Sequence, residues 1–185
     1  MNWDDSLFHA INGLAGRSPA MDWTMVELAK PGNLLYPGLL AAGYWLWKNR
    51  RECLVASAVL AAVIGSTDAI GTQLKNLIQR PRPCLRLQQV HELLGCGSAF
   101  SFPSNHAMNT AAAAAFFQVL YPRSGWISWP LVAAIGLSRV YIGAHYATDV
   151  AGGWIVGGAI GGAAAWLLRR RFRFHRTKEP LARTG

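Results

Sequence analysis

The stretch "SRVYIGAHYATD", residues 138–149, separates two apolar runs, 126–137 and 150–168. Ionisable residues are expensive at membrane depth, so an arginine, a histidine and an aspartate between such runs mark a functional turn as well as a topology change. Counted from residue 148 to 168, the second run has about the length a helix needs to cross a hydrocarbon core. The first can extend to about residue 142. Working outward, residues 52–74 form another long apolar run, and residues 107–121 an alanine-rich one that is short unless its helix begins near Ser104. Residues 33–47 are a fifth candidate and end on Trp45, Trp47 and Lys48, the aromatic-then-basic order of an interfacial anchor. The expected fold is therefore all-α, a multi-pass transmembrane helical bundle of five or six spans.

Composition agrees. Hydrophobic residues make up 52% of the 185 residues and charged ones 15%, against about 25% charged in a soluble domain. The net charge of +9 raises nucleic acid as a partner, but the basic residues cluster at the ends of apolar runs and form no continuous stripe. A lipid bilayer is the partner this distribution fits. Residues 1–30 carry Arg17, Pro19, Asp22 and Glu27 and read as two short amphipathic segments lying at the interface, with a sixth span through them as the alternative. Asp4 and Asp5 stand where a secretory signal would have basic residues, so none is expected. The expected division is interfacial segments over 1–30, the membrane domain over 31–168 and a basic tail over 169–185.

Alternating five spans places Lys48, Arg50, Arg51, Arg123 and the tail from Arg169 on one face. Lys75, Arg80, Arg82, Arg86 and Arg139 fall on the other. The richer face is cytoplasmic by the positive-inside rule, and the tail reads as a topology signal that also touches anionic lipid. Cys53 lies in an apolar run and reads as inert packing. Cys84 and Cys96 share one outer loop and are able to pair if it faces an oxidising compartment.

The same topology gathers three polar clusters on the outer face: "KNLIQRPRP" with Lys75 and Arg82-Pro83, "PSNH" over 103–106, and the opening stretch. Three cations, Lys75, Arg82 and Arg139, suit a multiply charged oxyanion, arginine through planar bidentate donors and lysine as a compact charge. Ser104 follows a proline and precedes a helix, where it can act as N-cap while free backbone N–H groups face an anion. Two histidines supply proton transfer and nucleophilic attack. His145 and Asp149 are four apart and share a face if both are helical. A carboxylate on one imidazole nitrogen would leave the other free to attack. The pieces fit phosphoryl transfer through a phosphohistidine.

These clusters resemble the three motifs of the type 2 phosphatidic acid phosphatase (PAP2) family, K-x6-RP, PSGH and SR-x5-H-x3-D. Here they read Lys75…Arg82-Pro83, Pro103-Ser104-Asn105-His106 and Ser138-Arg139…His145…Asp149. The resemblance implies the family's acid phosphatase/haloperoxidase-like helical core. It implies His145 as nucleophile, Asp149 as its orienting partner and His106 as general acid. Lys75, Arg82, Ser104, Asn105 and Arg139 would hold the phosphate, with no metal or cofactor. Asn105 departs from the family glycine. It tolerates left-handed backbone better than most residues, and its side chain would either add a donor or narrow the pocket.

Within the family the chain is most similar to short bacterial undecaprenyl-diphosphate phosphatases, on "LFHAING" at 7–13. That implies a bacterial inner-membrane enzyme with an extracytoplasmic site, a cytoplasmic C-terminus and a membrane lipid phosphate as substrate. Phosphatidic acid, phosphatidylglycerol phosphate and lipid A phosphate would use the same core, and a lipid phosphotransferase the same nucleophile. A channel or transporter subunit gives no reason for nucleophile, orienting acid and second histidine to coexist.

Other residues have plainer readings. Arg80 and Arg86 are expected to snorkel to headgroups, and His9, His91 and His175 to be structural. Asp68, two turns before Lys75, is either a partner for a motif cation or a satisfied buried acid. Gly153, Gly157, Gly161, Gly158 and Gly162 read as close helix packing.

Overall fold

The computed structural model describes residues 2–172; His175 and the tail beyond Phe172 lie outside the described residues. Among the described residues eight helices follow in order: α1 Trp3–Asn12, α2 Pro19–Ala29, α3 Leu35–Lys48, α4 Arg50–Ile78, α5 Pro83–Arg86, α6 Asn105–Leu120, α7 Gly125–Tyr141 and α8 Ala147–Arg171. Short 3-10 turns, Pro31–Leu34 and Pro122–Ser124, precede α3 and α7. Among the described residues the one extended pairing is an isolated bridge between Pro81 and Phe100. The described residues are all-α, as expected.

α6 is the axis of the bundle. Its alanines 107, 111, 112 and 114 are buried, and α8 lies along it because α8 has no side chains on the facing stripe. A Cβ at Gly157 would come within 2.0 Å of the Met108 carbonyl oxygen, and one at Gly161 within 2.0 Å of the Ala112 oxygen. At Gly153 the nearest atom, the Ser104 oxygen, would be 2.7 Å away. Gly158 and Gly162 are different: their nearest neighbours would be 3.9 and 4.0 Å away, ordinary contact. The close-packing role therefore belongs to the 153/157/161 stripe. Gly157→Ala is expected to lower the detergent melting temperature sharply, by an overpacking cost of roughly 3 kcal/mol or more. Gly158→Ala should leave it near wild type, and equal effects would contradict the packing account.

At one end of the bundle Phe116, Leu120, Ala165 and Leu168 form a buried cluster, joined by Trp45 of α3 packing edge-on against Phe117 and Tyr121. Cys53 is buried and unpaired there, as its reading requires. The outside of the bundle is apolar: Leu40, Leu54, Leu77, Ile127, Ile155 and Leu167 are all more than half exposed. Large contiguous apolar surface of this kind is rare on soluble monomers and marks a surface that meets lipid. α4, with 29 residues, and α8, with 25, are each long and apolar enough to cross a membrane. α3, α6 and α7 are shorter, at 14, 16 and 17 residues.

The antiparallel course brings the C-terminal ends of α4 and α7 to the same end of the bundle as the N-terminal ends of α6 and α8. α1 and α2 also pack at this end, against α7 and α8. Phe8 of α1 is fully buried with Ala107, Val140, Tyr146 and Val150. Ala29 of α2 is buried with Tyr141, Ile142 and Ala144.

Candidate functional site

The opening stretch forms the turn from α7 into α8. α7 stops at Tyr141, and Gly143 then takes a left-handed φ of +85°. A Cβ at Gly143 would meet the His91 carbonyl oxygen at 2.8 Å, so only glycine fits this turn. The backbone N–H groups of Ala144 and His145 both donate to the Arg139 carbonyl. α8 begins at Ala147, so His145 lies outside the helix and the helical i,i+4 pairing with Asp149 expected from the sequence does not form. The reason is local: the Asp149 carboxylate accepts the Tyr146 backbone N–H at 2.9 Å and starts the helix just after the histidine.

The two side chains still meet. His145 is 2% exposed and Asp149 fully buried, with His145 Nδ1 3.6 Å from Asp149 Oδ2, within ion-pair range but too long for a hydrogen bond. On its other side His145 Nε2 faces an Arg82 guanidinium nitrogen at 3.4 Å. Arginine only donates, so Nε2 is the unprotonated nitrogen and Nδ1–H points at Asp149. Burial is the largest influence on this imidazole and pushes its pKa down to about 4, with Asp149 opposing and Arg82 and Arg139 reinforcing. A neutral histidine with Nε2 facing a cation is what nucleophilic attack on phosphorus needs.

Of the phosphate-binding candidates, Arg82 stands against that nitrogen. Arg82 is half wrapped by loop 94–101: Nε donates to the Ser98 carbonyl, Nη2 to Ser98 Oγ at 3.0 Å, and Nη1 to the Ala144 carbonyl at 2.8 Å. A disulfide between Cys84 and Cys96 tethers the start of that loop to α5. Linking residues 12 apart restricts the unfolded chain by about 3 kcal/mol. Arg139, 9% exposed, donates to the carbonyl of Ala29 at the end of α2 at 3.1 Å. Lys75 Nζ donates to the Pro103 carbonyl and, at 2.6 Å, to Asn105 Oδ1.

The PSNH segment meets the turn directly, since the Ser104 N–H donates to the Asp149 carbonyl at 3.1 Å. Ser104 occupies the N-cap position of α6, but its side chain makes no capping bond, so that expectation is corrected. Ser104 Oγ is instead buried without a partner, as are His106 Nε2 and Arg139 Nε. Buried polar atoms are normally hydrogen-bonded. With His145 Nδ1, four motif residues carry an unpaired one, and those of Ser104, His106 and Arg139 form a ready set of partners for an anion.

Asn105 fits because α4 has Gly71 opposite it; a Cβ there would lie 2.7 Å from Asn105 Oδ1. Its carbonyl accepts from Lys75, and its amide donates to Asp68 Oδ1 at 3.3 Å. Asp68 also accepts from Asn109 at 2.9 Å. Asp68 is thus tied to the motif lysine through Asn105, which favours the first of its two readings.

Two expectations fail outright. Arg80 and Arg86 do not snorkel to headgroups, because acids on α1 capture them. Arg80 pairs with Asp4 at 2.6 Å and with Asp149 at 2.7 Å. Arg86 pairs with Asp5 and donates to the Tyr146 hydroxyl at 2.8 Å. Burial pushes the Asp4 carboxyl up, but hydrogen bonds from Arg80 and Thr148 outweigh it and hold its pKa below the ordinary value. Asn12 is equally unforeseen: its amide donates to the carbonyls of Tyr141 and His91 at 2.7 and 2.9 Å, and its oxygen accepts the His91 N–H. It therefore ties α1 to the turn that carries His145. The period of Asp4, Phe8 and Asn12, one helical face, is the signal that could have found this contact. His91 is structural as expected, its Nδ1 2.7 Å from the Ala15 carbonyl oxygen. Among the described residues Cys84, Glu92 and Cys96 are close enough together to hold a metal, but the two sulfurs are bonded to each other.

The PAP2 superfamily model matches residues 54–173. Undecaprenyl-diphosphatase BcrC of Bacillus subtilis is 32% identical over 165 residues, covering 87% of this chain and 81% of that protein. Among solved structures, the transmembrane PAP2-type phosphatidylglycerolphosphate phosphatase of Bacillus subtilis superposes with a TM-score of 0.71 at 26% identity, covering 93% of this chain and 87% of that one. LpxE of Aquifex aeolicus gives 0.70 at 26% identity, covering 89% and 95%.

Proposed function

The chain belongs to the PAP2 superfamily, and we propose that within it the protein removes the terminal phosphate of a polyprenyl diphosphate, converting undecaprenyl diphosphate to undecaprenyl phosphate. The observation that carries this reading is the buried His145, with a carboxylate at Nδ1, a guanidinium at Nε2, and unpaired Ser104, His106 and Arg139 atoms nearby. In the proposed cycle Nε2 attacks the terminal phosphorus, the P–N bond forms and the P–O bond to the lipid phosphate breaks. Protonated His106 gives its proton to the leaving oxygen. His106 then takes a proton from water, whose oxygen attacks the phosphohistidine and releases inorganic phosphate. Lys75, Arg82 and Arg139 supply the charge that the transferring phosphoryl group needs, so the cycle calls on no metal.

The substrate assignment rests on the BcrC relative and the "LFHAING" segment. Phosphatidylglycerol phosphate is the second reading, favoured by the fold neighbour named for that activity. For topology we read five spans: α3, α4, α6, α7 and α8. α1 and α2 dock at the site's end of the bundle, which supports an interfacial position rather than a sixth crossing. The turns Pro31–Leu34 and Pro122–Ser124 lengthen α3 and α7, and α6, sheathed by its neighbours, need not match the lipid thickness itself. The basic ends of α3 and α8 support a cytoplasmic C-terminus and a site on the extracytoplasmic face.

Phosphate release in detergent, with a chelator present, from undecaprenyl diphosphate, phosphatidylglycerol phosphate and phosphatidic acid tests this reading. Undecaprenyl diphosphate should give the highest kcat/KM, by about tenfold or more. A higher value for phosphatidylglycerol phosphate would move the assignment to the second reading. Loss of activity on chelation would overturn the metal-free cycle. In sealed cells a membrane-impermeant thiol reagent should label Cys84 and Cys96 after reduction; labelling only in inverted vesicles would reverse the orientation.

A further inference from the structure

Arg80 fills one of the unspecified positions of the first motif, between Lys75 and Arg82, yet it holds the carboxylate that faces the nucleophile. We propose that Arg80 is a positioning residue for catalysis, fixing Asp149 against His145 while Asp4 of α1 fixes Arg80 from the other side. The N-terminal helix then belongs to the active site. This inference rests on the phosphohistidine reading above.

Asp149 is fully buried, and a buried carboxylate stays charged only when a cation and hydrogen bonds compensate it. Arg80 Nη1 donates to Asp149 Oδ1 at 2.7 Å, and the Tyr146 N–H donates to Oδ2 at 2.9 Å. Held at both oxygens, the carboxylate cannot rotate, and Oδ2 stays aimed at His145 Nδ1. Arg80 is located just as fully. Nη1 also donates to Thr148 Oγ1 at 2.6 Å and Nη2 to Asp4 Oδ2 at 2.6 Å. The Thr148 hydroxyl donates to the same Asp4 oxygen at 2.5 Å, and the Thr148 N–H to the other at 3.3 Å. The result is a closed ring joining α1, Arg80 and the first turn of α8.

The Arg80 guanidinium also lies over the Tyr146 ring, 3.9 Å from its centroid. Arg86 holds the hydroxyl of that ring and is itself held by Asp5. Two acids of α1 thus grip two arginines around the residue next to His145. Arg80 thus spends three of its five N–H groups on Asp149, Thr148 and Asp4.

The test is steady-state kinetics on the purified full chain in detergent with undecaprenyl diphosphate, comparing wild type with Arg80→Met, Arg80→Lys, Asp4→Asn and His145→Ala. A displaced anchor lowers kcat without weakening substrate binding. Arg80→Met should therefore lower kcat on the order of 100-fold with KM within about twofold. Arg80→Lys keeps one ion pair and should recover about tenfold of that loss, and Asp4→Asn should lose about tenfold in kcat with the same unchanged KM. Wild-type kcat in Asp4→Asn and Arg80→Met, or a loss expressed in KM, would overturn the proposal. If Arg80→Met does not purify as a monodisperse species, Asp4→Asn and Arg80→Lys decide by the same criterion. Turnover persisting in His145→Ala would refute the underlying site reading and this inference with it. An inactive His145→Ala beside a fully active Arg80→Met would refute this inference alone.

Discussion

His145→Ala is expected to reduce turnover of every lipid phosphate by roughly four orders of magnitude or more, with the protein still folded. Removing a covalent nucleophile eliminates the pathway, and what remains is binding and charge stabilisation alone. The fold should survive because the imidazole contributes few internal bonds: its Nδ1 has no hydrogen-bond partner, and the turn is held by backbone groups, Gly143 and Asn12. The same imidazole sets an expected pH dependence. Burial lowers its pKa to about 4, so the neutral, attacking form persists down to about that pH. The acid limb of kcat/KM assigned to the nucleophile should then fall near pH 4, well below the ordinary histidine value of about 6.5. An acid limb near 6.5 would contradict this assignment, since His106, needed in its protonated form, governs the alkaline limb instead.

His106→Ala is expected to cost about 10²- to 10⁴-fold, the usual contribution of a positioned general acid. The size of the loss should depend on the leaving group. A lipid phosphate needs its departing oxygen protonated, whereas an aryl phosphate with an acidic phenol does not, so the first half-reaction should be nearly spared for the aryl substrate. Hydrolysis of the phosphohistidine would still lack its base. The variant should therefore release one burst of phenol per site and then stall. Equal losses on both substrates, with no burst, would contradict the acid–base role.

The helices and the three motifs were legible in the sequence because each depends on short-range pattern: apolar runs, glycines four apart, charged residues at fixed spacing. The glycine stripe was read correctly in kind but too broadly, since Gly157 and Gly158 differ only in which way they face. The exact start of α8 was not legible. It depends on Asp149 capping the Tyr146 N–H, a tertiary choice between helix and turn. Arg80 was misread because its partners are Asp4, 76 residues away, and Asp149, 69 residues away. One sequence contains no pairing information over such distances. An arginine beside an apolar run looks the same whether its charge reaches headgroups or a buried acid. The acidic start of α1 and its Asp4, Phe8, Asn12 face were visible as a pattern, but not what they dock against.

The central claim, a covalent phosphoryl group on Nε2 of His145, is tested most directly by rapid quench of the His106→Ala protein with the same kind of aryl phosphate, labelled in its phosphoryl group, followed by peptide mapping. The account predicts label that is stable in alkali, labile in acid and confined to the peptide containing His145. Label on another residue, or no protein-bound label while phosphate is still released, would contradict it.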